Sequence, residues 1–397
     1  MFTISRQFIH SLLITGTISL VTSFVFLYIV KRSSDNFFSF LNVYSPKSPT
    51  QAKLLGGMGI SAGIITSMFS LLTREHMMIR FEESFIYAMI FSTISITIYG
   101  YVDDKYETRA RHKIIFQLIS LSFLTFYAAD LLASPNHKVA AIIVATVLGF
   151  LLINGANLLD GLDTLSIKLG TITSLGFIYL GYHTESLLCI QLSVATIAAL
   201  SAFYYFNRAP AKIYMGEIGS CLLGLVYTAQ IVLCYSHLRT EQLGLDAIST
   251  VLIVVSLPIC ELGVSFLRRI YFGKTPFSGD KLHFHYILKS KAHLSVSATT
   301  TLMALGSIAI IAIGYLVMAY VTPFMGLVTT NLLFCGVYVG FCYKDWVKNQ
   351  SALHKVSIMA HLKAESVYLI TTSDLEKVSV RLIVEEVPKK STAKEAA

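Results

Sequence analysis

The stretch AAIIVATVLGFLLINGANLLDGLDTL, residues 140–165, joins a long apolar run directly to a series of polar residues. Its first half carries no charged side chain, as expected of a helix buried in a bilayer. Two amides and two carboxylates then follow at intervals of three: Asn154, Asn157, Asp160 and Asp163. On a helix this spacing keeps each polar side chain beside the next. The stretch predicts a membrane helix that ends in a polar cluster.

The composition of the whole chain indicates a polytopic membrane protein. Of 397 residues, 54% are hydrophobic and only 14% are charged, and the mean hydropathy is +0.66. These values lie well outside the range of ordinary soluble domains. A spanning helix needs about 20 mainly apolar residues. The sequence predicts an all-α fold with about eleven such spans, at 8–30, 56–73, 84–102, 113–133, 139–155, 165–182, 186–206, 219–235, 246–268, 299–320 and 323–343.

The distribution of Lys and Arg predicts the orientation of these spans. One set of connections holds 17 basic residues, the C-terminal tail on the same side holds 9, and the opposite side holds 5. Basic residues concentrate in cytoplasmic loops. The N-terminus is therefore expected outside, and the basic loops and the C-terminus are expected in the cytoplasm.

Two regions are predicted along the chain: a transmembrane domain over 1–343 and a cytoplasmic tail over 344–397. In the tail, SVYLITT (366–372) and VSVRLIVEEV (378–387) are rich in β-branched residues and are separated by a short polar segment. This pattern is typical of a small β-hairpin.

The polar clusters all fall on the predicted cytoplasmic side, which suggests one composite site. They lie at 44–57, 100–113, 154–165, 213–224 and 268–286. A transporter for lipid or sugar is the rival hypothesis, and it would place ionisable residues inside several spans. The predicted span interiors are almost free of them.

Adjacent carboxylates at Asp103 and Asp104 repel unless a cation lies near them. Basic residues follow directly, which suits a substrate with phosphates and a divalent metal. A solvated helix end is the alternative reading of this pair. Capping is the alternative for Asp163, after a break at Gly161, and for Glu217 at the start of a span.

Together these motifs resemble the polyprenyl-phosphate N-acetylhexosamine-1-phosphate transferase family, whose members move a sugar-1-phosphate from a UDP-sugar onto a lipid phosphate. The resemblance covers about residues 1–343. It is closest to the branch of glycosyltransferase family 4 that transfers GlcNAc-1-phosphate to undecaprenyl phosphate and begins O-antigen and related polymers. It is less close to the branch that begins peptidoglycan lipids.

The resemblance implies roles for individual residues. Four carboxylates are expected to be catalytic: Asp103, Asp104, Asp160 and Asp163. Mg²⁺, with Mn²⁺ as an alternative, is expected at Asn157 and Glu217. Substrate binding is expected from Lys47, Lys113, Asn154, Gly216, Ser220, Asp280, Lys281, His283 and His285. For the two histidines, donation to phosphate is favoured over zinc binding because no third zinc ligand has suitable spacing.

The sequence departs from the family pattern at four positions. Glu217 replaces an aspartate, Lys281 an arginine, Tyr286 a histidine and Thr164 a glycine. Glutamate is one methylene longer than aspartate, which alters the geometry of a bound metal. The lysine ammonium is a point charge, whereas the arginine guanidinium is planar and can bind phosphate through two hydrogen bonds. A catalytically impaired regulatory relative is therefore the second alternative.

The resemblance also implies the partners and the location. The expected partners are a UDP-sugar, undecaprenyl phosphate and membrane lipid, without nucleic acid, and homodimerisation is left open. The expected location is the bacterial inner membrane, with the active site facing the cytoplasm.

Overall fold

The computed structural model describes residues 5–33, 39–44, 52–73, 80–132, 135–238, 244–276 and 279–373. These residues contain no β-strand, only two isolated bridges, Tyr44 with Lys53 and Lys53 with Ile213. Their helices are α1 Arg6–Arg32, α2 Gly56–Leu72, α3 Arg80–Tyr106, α4 Ala110–Leu132, α5 Lys138–Leu158, α6 Leu165–His183, α7 Leu187–Asn207, α8 Gly216–Leu238, α9 Gly244–Val254, α10 Ser256–Tyr271, α11 Phe284–Lys291, α12 Val296–Tyr320 and α13 Pro323–Ser373. The all-α prediction is confirmed for this part of the chain.

The helices coincide with the apolar runs of the sequence. Within the described residues, eight helices are long and apolar enough to cross a membrane, and the pair α9 and α10 makes a ninth if it counts as one span. The helix α2 has 17 residues and is shorter than a usual span. The protein is a multi-pass membrane protein, while the count of eleven spans and the orientation stay predictions.

The surface of α1 shows the reversed polarity expected in lipid. Its small polar residues Ser11, Thr15 and Ser19 are buried, whereas Leu13 is 63% exposed. The hydroxyl of Ser19 donates to the carbonyl of Ala195 on α7 across 2.7 Å. Small residues at such contacts let membrane helices approach closely, and apolar side chains can face the acyl chains.

The ninth apolar run is broken, contrary to the prediction of one spanning helix over 246–268. Helices α9 and α10 meet at Val255 with a bend of 85°. Pro258 lies in the first turn of α10 and has no N–H to continue the hydrogen bonds of α9. Proline therefore accounts for the break.

Helix α8 is the centre of the membrane unit. Most of its residues are buried, and α2, α3 and α5 pack against it. A Cβ on Gly100 of α3 would overlap Ile218, and one on Gly57 of α2 would overlap Gly219. These contacts bring the ends of α2 and α3 against the first turn of α8, where the predicted site begins.

The chain divides into two compact units, Met1–Tyr343 and Lys344–Ala397. In the second unit, the described residues up to Ser373 are helical. The first predicted strand, 366–372, is therefore wrong, because β-branched composition is a weak preference that an extending helix overrides. The second predicted strand, 378–387, lies outside the described residues.

Candidate functional site

Helix ends from distant parts of the sequence enclose a polar cavity of about 540 Å³. The last residues of α3, α5 and α7 meet the first residues of α8 and α12, and α11 lies beside them. Eight residues predicted for the site line this cavity: Asp104, Asn157, Asp160, Asp163, Gly216, Glu217, Ser220 and Lys281. The clustering of motifs at one end of the helices follows from this arrangement.

Glu217 is the centre of the polar contacts in the cavity. Its Oε2 accepts hydrogen bonds from Nζ of Lys113 and, across 2.6 Å, from Nδ2 of Asn157. Both side chains of the ion pair are largely buried, with 22% of Lys113 and 27% of Glu217 exposed. Helices α4, α5 and α8 therefore each contribute one group to a single charged contact.

The paired aspartates have different surroundings. Asp104 lines the cavity, and its Oδ1 accepts the backbone N–H of Glu217 at 2.9 Å. Asp103 is outside the cavity lining, and its Oδ1 accepts both the backbone N–H and the hydroxyl of Thr108. Successive residues of a helix point about 100° apart. One aspartate therefore faces the cavity and the other holds the turn before α4.

The loop before α8 approaches the cavity through its backbone. Gly216 has φ +72°, and a Cβ there would overlap Leu54 and the carboxylate of Asp104. Only glycine fits both conditions. The hydroxyl of Ser220 lies one turn on and donates to the carbonyl of Gly216 at 3.1 Å. Backbone of 52–57 pairs with 213–215, including Gly56 N–H to Tyr214 C=O at 2.9 Å, which fixes the loop.

The aspartates of the α5–α6 turn are held individually. Oδ1 of Asp160 accepts the hydroxyl of Ser166 at 2.8 Å, and Oδ2 of Asp163 accepts the N–H of Ala211 at 3.1 Å. Burial raises the pKa of Asp160 to about 7, partly offset by the bond from Ser166 and reinforced by the charge of Glu217. Burial also raises the pKa of Asp163. Asp160 can therefore gain or lose a proton near neutral pH.

Thr164 is the N-cap residue of α6, so the alternative in which Asp163 caps that helix is wrong. Thr164 has φ +69°, a left-handed conformation that disfavours β-branched residues. Its N–H donates to Oδ1 of Asn207 at 2.7 Å, and the Nδ2 of Asn207 donates to the carbonyl of Ile213 at 2.9 Å. The glycine expected here from the family pattern suits this backbone.

Gly161 matters for space rather than for backbone conformation. A Cβ at Gly161 would overlap Nε2 of His285, whose side chain is fully buried. Neither ring nitrogen of His285 has a hydrogen-bond partner among the described residues. Burial lowers the pKa of His285 to about 4. His285 is not among the residues that line the polar cavity.

Asp280 and His283 are also placed outside the cavity lining. Asp280 accepts two hydrogen bonds from Arg268, at 2.9 and 3.0 Å, and one from Arg269 at 3.3 Å. Burial opposes ionisation, but the bonds and charge of Arg268 hold the pKa of Asp280 at about 2. His283 donates from Nδ1 to Glu261 at 2.7 Å. These two residues anchor the segment before α11.

A second opening, the side cavity, adjoins the polar cavity at Glu217. It has a volume of about 200 Å³ and shares Asn157 and Glu217 with the polar cavity. Its other polar residues are Lys113, Asn154 and Arg269. The remaining lining is mostly apolar: Ala110, Ile114, Phe150, Leu158, Leu262, Phe266 and Gly279. A cavity lined by two cations and mostly apolar side chains suits an amphipathic phosphate.

The structure thus brings together most of the predicted site residues. Asn154 lines the side cavity directly, and its Nδ2 donates to Oε1 of Gln117 at 3.0 Å. Lys47 lies outside the described residues. The roles of all these residues stay predictions. Sequence reasoning missed four residues that line a cavity or hold the site, namely Asn207, Arg269, Lys289 and Glu261. A carboxylate inside an apolar run was the available signal for Glu261.

Three of the four departures from the family pattern, Glu217, Lys281 and Tyr286, line the polar cavity itself. The fourth, Thr164, shapes the turn that carries Asp163. The departures are therefore concentrated where a substrate would bind.

The donor set fits a divalent ion held jointly with a substrate. Among the described residues, no group of three or more His, Cys, Asp or Glu side chains is arranged to hold a metal. Mg²⁺ usually takes one or two carboxylates together with substrate phosphates and water. Oδ2 of Asp104 is buried and has no hydrogen-bond partner among the described residues, and Asp104 lines the cavity together with Glu217.

Comparison with known proteins identifies the relatives of the chain. Residues 86–235, from α3 to α8, match the family model described as glycosyl transferase family 4. A probable undecaprenyl-phosphate N-acetylglucosaminyl 1-phosphate transferase of Bacillus subtilis is 26% identical, covering 68% of this chain and 75% of the relative. A putative UDP-N-acetylglucosamine–dolichyl-phosphate N-acetylglucosaminephosphotransferase of Saccharolobus solfataricus is 27% identical, covering 67% and 84%.

A third relative is the decaprenyl-phosphate N-acetylglucosaminephosphotransferase of Mycobacterium leprae, which is 26% identical and covers 62% of this chain and 68% of the relative. The matched region contains Asp104, the α5–α6 turn and the start of α8, which line much of the polar cavity. Over residues 86–235 the chain thus matches glycosyl transferase family 4, and it is similar to relatives named as polyprenyl-phosphate N-acetylglucosamine-1-phosphate transferases.

Proposed function

We propose that the protein transfers an N-acetylhexosamine-1-phosphate from a UDP-sugar to undecaprenyl phosphate and releases UMP. The names of the relatives support a phosphotransferase that acts on a polyprenyl phosphate. The observation that carries the proposal is the junction of two cavities at Glu217 and Asn157. The polar cavity suits the nucleotide-sugar, and the side cavity suits the lipid phosphate, so the two substrates would meet at this junction.

The reaction is a phosphoryl transfer. An oxygen of the lipid phosphate attacks the sugar-linked phosphorus, and the bond from that phosphorus to the oxygen of UMP breaks. A phosphate monoester has a second pKa of about 6, so the acceptor is already largely dianionic at pH 7. A strong general base is not required. Lys113 and Arg269 would orient the acceptor, and Lys281 and Lys289 would bind phosphate charge in the polar cavity.

Mg²⁺ would be held by Asp104 and Glu217, with Asn157 beside them, and would neutralise charge on the pyrophosphate when bound. Lys113 already shares the Glu217 carboxylate. It would therefore remain next to both the ion and the acceptor phosphate. Asp160 would contribute a proton acceptor or donor near neutral pH, since its pKa is raised to about 7 by burial.

The biological setting follows from the same proposal. The product, a lipid diphosphate sugar, would start a cell-surface polysaccharide such as O-antigen. The site would face the cytoplasm of a bacterial inner membrane, where UDP-sugars are available. The basic residues of the loops on the site side support that orientation.

The test is a product assay with purified full-length protein, Mg²⁺, a short polyprenyl phosphate and a panel of labelled UDP-sugars. The proposal expects UMP with at least one N-acetylhexosamine donor. UDP would instead indicate direct glycosyl transfer. If neither UMP nor UDP forms, the remaining hypotheses are a transporter and a catalytically impaired relative. Vesicle uptake of labelled substrate would distinguish those two.

A further inference from the structure

Glu261 is a buried carboxylate in α10 that the proposed reaction does not use directly. Its side chain is 1% exposed, and it lies within the apolar run that forms α9 and α10. Ionisable residues inside membrane segments are costly and usually serve a function. A buried carboxylate also needs hydrogen-bond donors.

Three donors meet this carboxylate, one from α10, one from α13 and one from the residue before α11. Oε1 of Glu261 accepts Nδ1–H of His283 at 2.7 Å and the hydroxyl of Tyr338 at 2.9 Å. The hydroxyl of Ser265, one turn along α10, lies at 3.5 Å. His283 is itself 5% exposed. The carboxylate therefore joins α10 and α13 to the residue that precedes α11.

His283 determines where α11 begins. Its carbonyl accepts the N–H groups of Tyr286 at 3.1 Å and Ile287 at 3.2 Å, which form the first turn. Because a helix moves with its first turn, fixing the side chain of His283 fixes the placement of α11. With Nδ1 bound to Glu261, only Nε2 of His283 is left for other contacts, and it lies 3.8 Å from Asp280.

Helix α11 separates two cavities of different character. Tyr286 and Lys289 line the polar cavity. Phe284 and Leu288 line a cavity of about 240 Å³ whose walls are mostly apolar and which also includes Glu261. Close packing is therefore incomplete on that side of α11. Phe284 packs against the rings of Tyr338 and Phe341, and the hydrogen bonds at the start of the helix act together with this packing.

We propose that Glu261 is a positioning residue for the transfer reaction. Through His283 it fixes α11, so that Tyr286 and Lys289 keep their places in the polar cavity. The kinetic part of this inference rests on the proposed function. A residue with a general structural role would lower stability without a selective effect on one substrate.

The test compares Glu261→Gln with Tyr338→Phe in the full-length protein. Glu261→Gln removes the charge that binds His283, whereas Tyr338→Phe removes a donor to the same carboxylate and keeps the ring that packs against Phe284 of α11. For Glu261→Gln, the KM for UDP-GlcNAc should rise about tenfold while the KM for polyprenyl phosphate is unchanged. For Tyr338→Phe, both constants should stay within about twofold of wild type.

Hydrogen exchange gives a second readout that does not need turnover. In Glu261→Gln, amides of 284–291 should exchange about tenfold faster, with α12 unchanged. Wild-type exchange in α11 would overturn the inference, as would an equal rise in KM for Tyr338→Phe. If wild-type protein forms no UMP, the proposed function fails, but the exchange comparison still decides whether Glu261 fixes α11.

If Glu261→Gln does not fold, a second variant provides the test. The double substitution Glu261→Met with His283→Leu replaces the buried polar pair by apolar side chains and leaves no unpaired charge. Faster exchange of 284–291 in this variant supports the inference, and wild-type exchange contradicts it.

Discussion

Asn157 donates from Nδ2 to Oε2 of Glu217 across 2.6 Å, and this bond joins the last turn of α5 to the first turn of α8. The same oxygen accepts Lys113. The longer side chain of glutamate, where the family pattern has aspartate, is thus used to meet two partners.

Glu217→Asp tests whether that length matters. The shorter carboxylate would withdraw from Asn157 and Lys113, so we expect kcat/KM for UMP release to fall about tenfold. Glu185→Asp, an exposed residue between α6 and α7, is the matched control and should keep wild-type kinetics. Activity of Glu217→Asp equal to wild type would show that the length does not matter, and activity above wild type would mark the natural glutamate as a handicap.

Substitution of the two adjacent aspartates should reduce turnover to different extents. Asp104→Asn alters the cavity carboxylate whose Oδ2 has no partner among the described residues, so turnover should fall about 100-fold at saturating Mg²⁺. Asp103→Asn retains an oxygen that can accept from Thr108 and should lose less than about tenfold. Near-normal turnover of both variants would refute the assignment of Asp104 to the metal and acceptor.

Thr164 carries backbone strain that a glycine would relieve. A left-handed conformation costs an ordinary residue about 1–2 kcal/mol. Glycine loses about 0.5–1 kcal/mol through chain entropy. Thr164→Gly should therefore change the free energy of unfolding by no more than about 1 kcal/mol.

Thr164→Val keeps the strain and loses the hydroxyl that lies 3.3 Å from Thr300. It should be destabilised by about 1 kcal/mol or more. Denaturation in detergent compares the two variants. A Thr164→Gly protein that is less stable than Thr164→Val would contradict the interpretation of strain.

Gly161→Ala should disturb α11 through a steric clash. The new Cβ would overlap His285, which is buried and cannot move freely, so a loss of about 1–3 kcal/mol is expected. Shortening the partner with His285→Ala should restore much of that loss, which makes the pair non-additive. The control is Gly336→Ala, where a Cβ meets nothing within 4 Å. If the losses in stability of Gly161→Ala and His285→Ala simply add in the double variant, the clash is excluded.

His285 should make the folded state sensitive to acid. Burial holds its pKa at about 4, below the ordinary value of 6.5, so the unfolded chain binds the proton first as the pH falls. Its contribution is fully present above pH 6.5 and is lost by about pH 4, to a maximum of about 3 kcal/mol. Thermal denaturation of wild type and His285→Phe across this range isolates the effect.

The difference in stability between those two proteins should change steadily between pH 6.5 and pH 4. His112→Phe, at an exposed position near the start of α4, is the control and should follow the wild-type pH dependence. If the stability of His285→Phe falls with pH as steeply as that of wild type, another group causes the acid sensitivity.

Much of the fold and the site followed from the sequence because each signal was local. Apolar runs predicted the helices, and polar residues at the ends of those runs predicted which ends would meet. The details that failed depend on tertiary contacts. Asp103 and Asp104 could not be distinguished until the packing of α3 on α8 fixed which one faced the cavity. His283 was expected at phosphate, but its partner Glu261 comes from another helix.

The measurement that tests the account most directly uses a UDP-GlcNAc donor labelled in the sugar-linked phosphate. Incubated with Mg²⁺, polyprenyl phosphate and the full-length protein, it should transfer both the sugar and the labelled phosphate to the lipid and leave unlabelled UMP. If the sugar reaches the lipid while the label remains in UDP, the reaction is glycosyl transfer and the central claim is wrong.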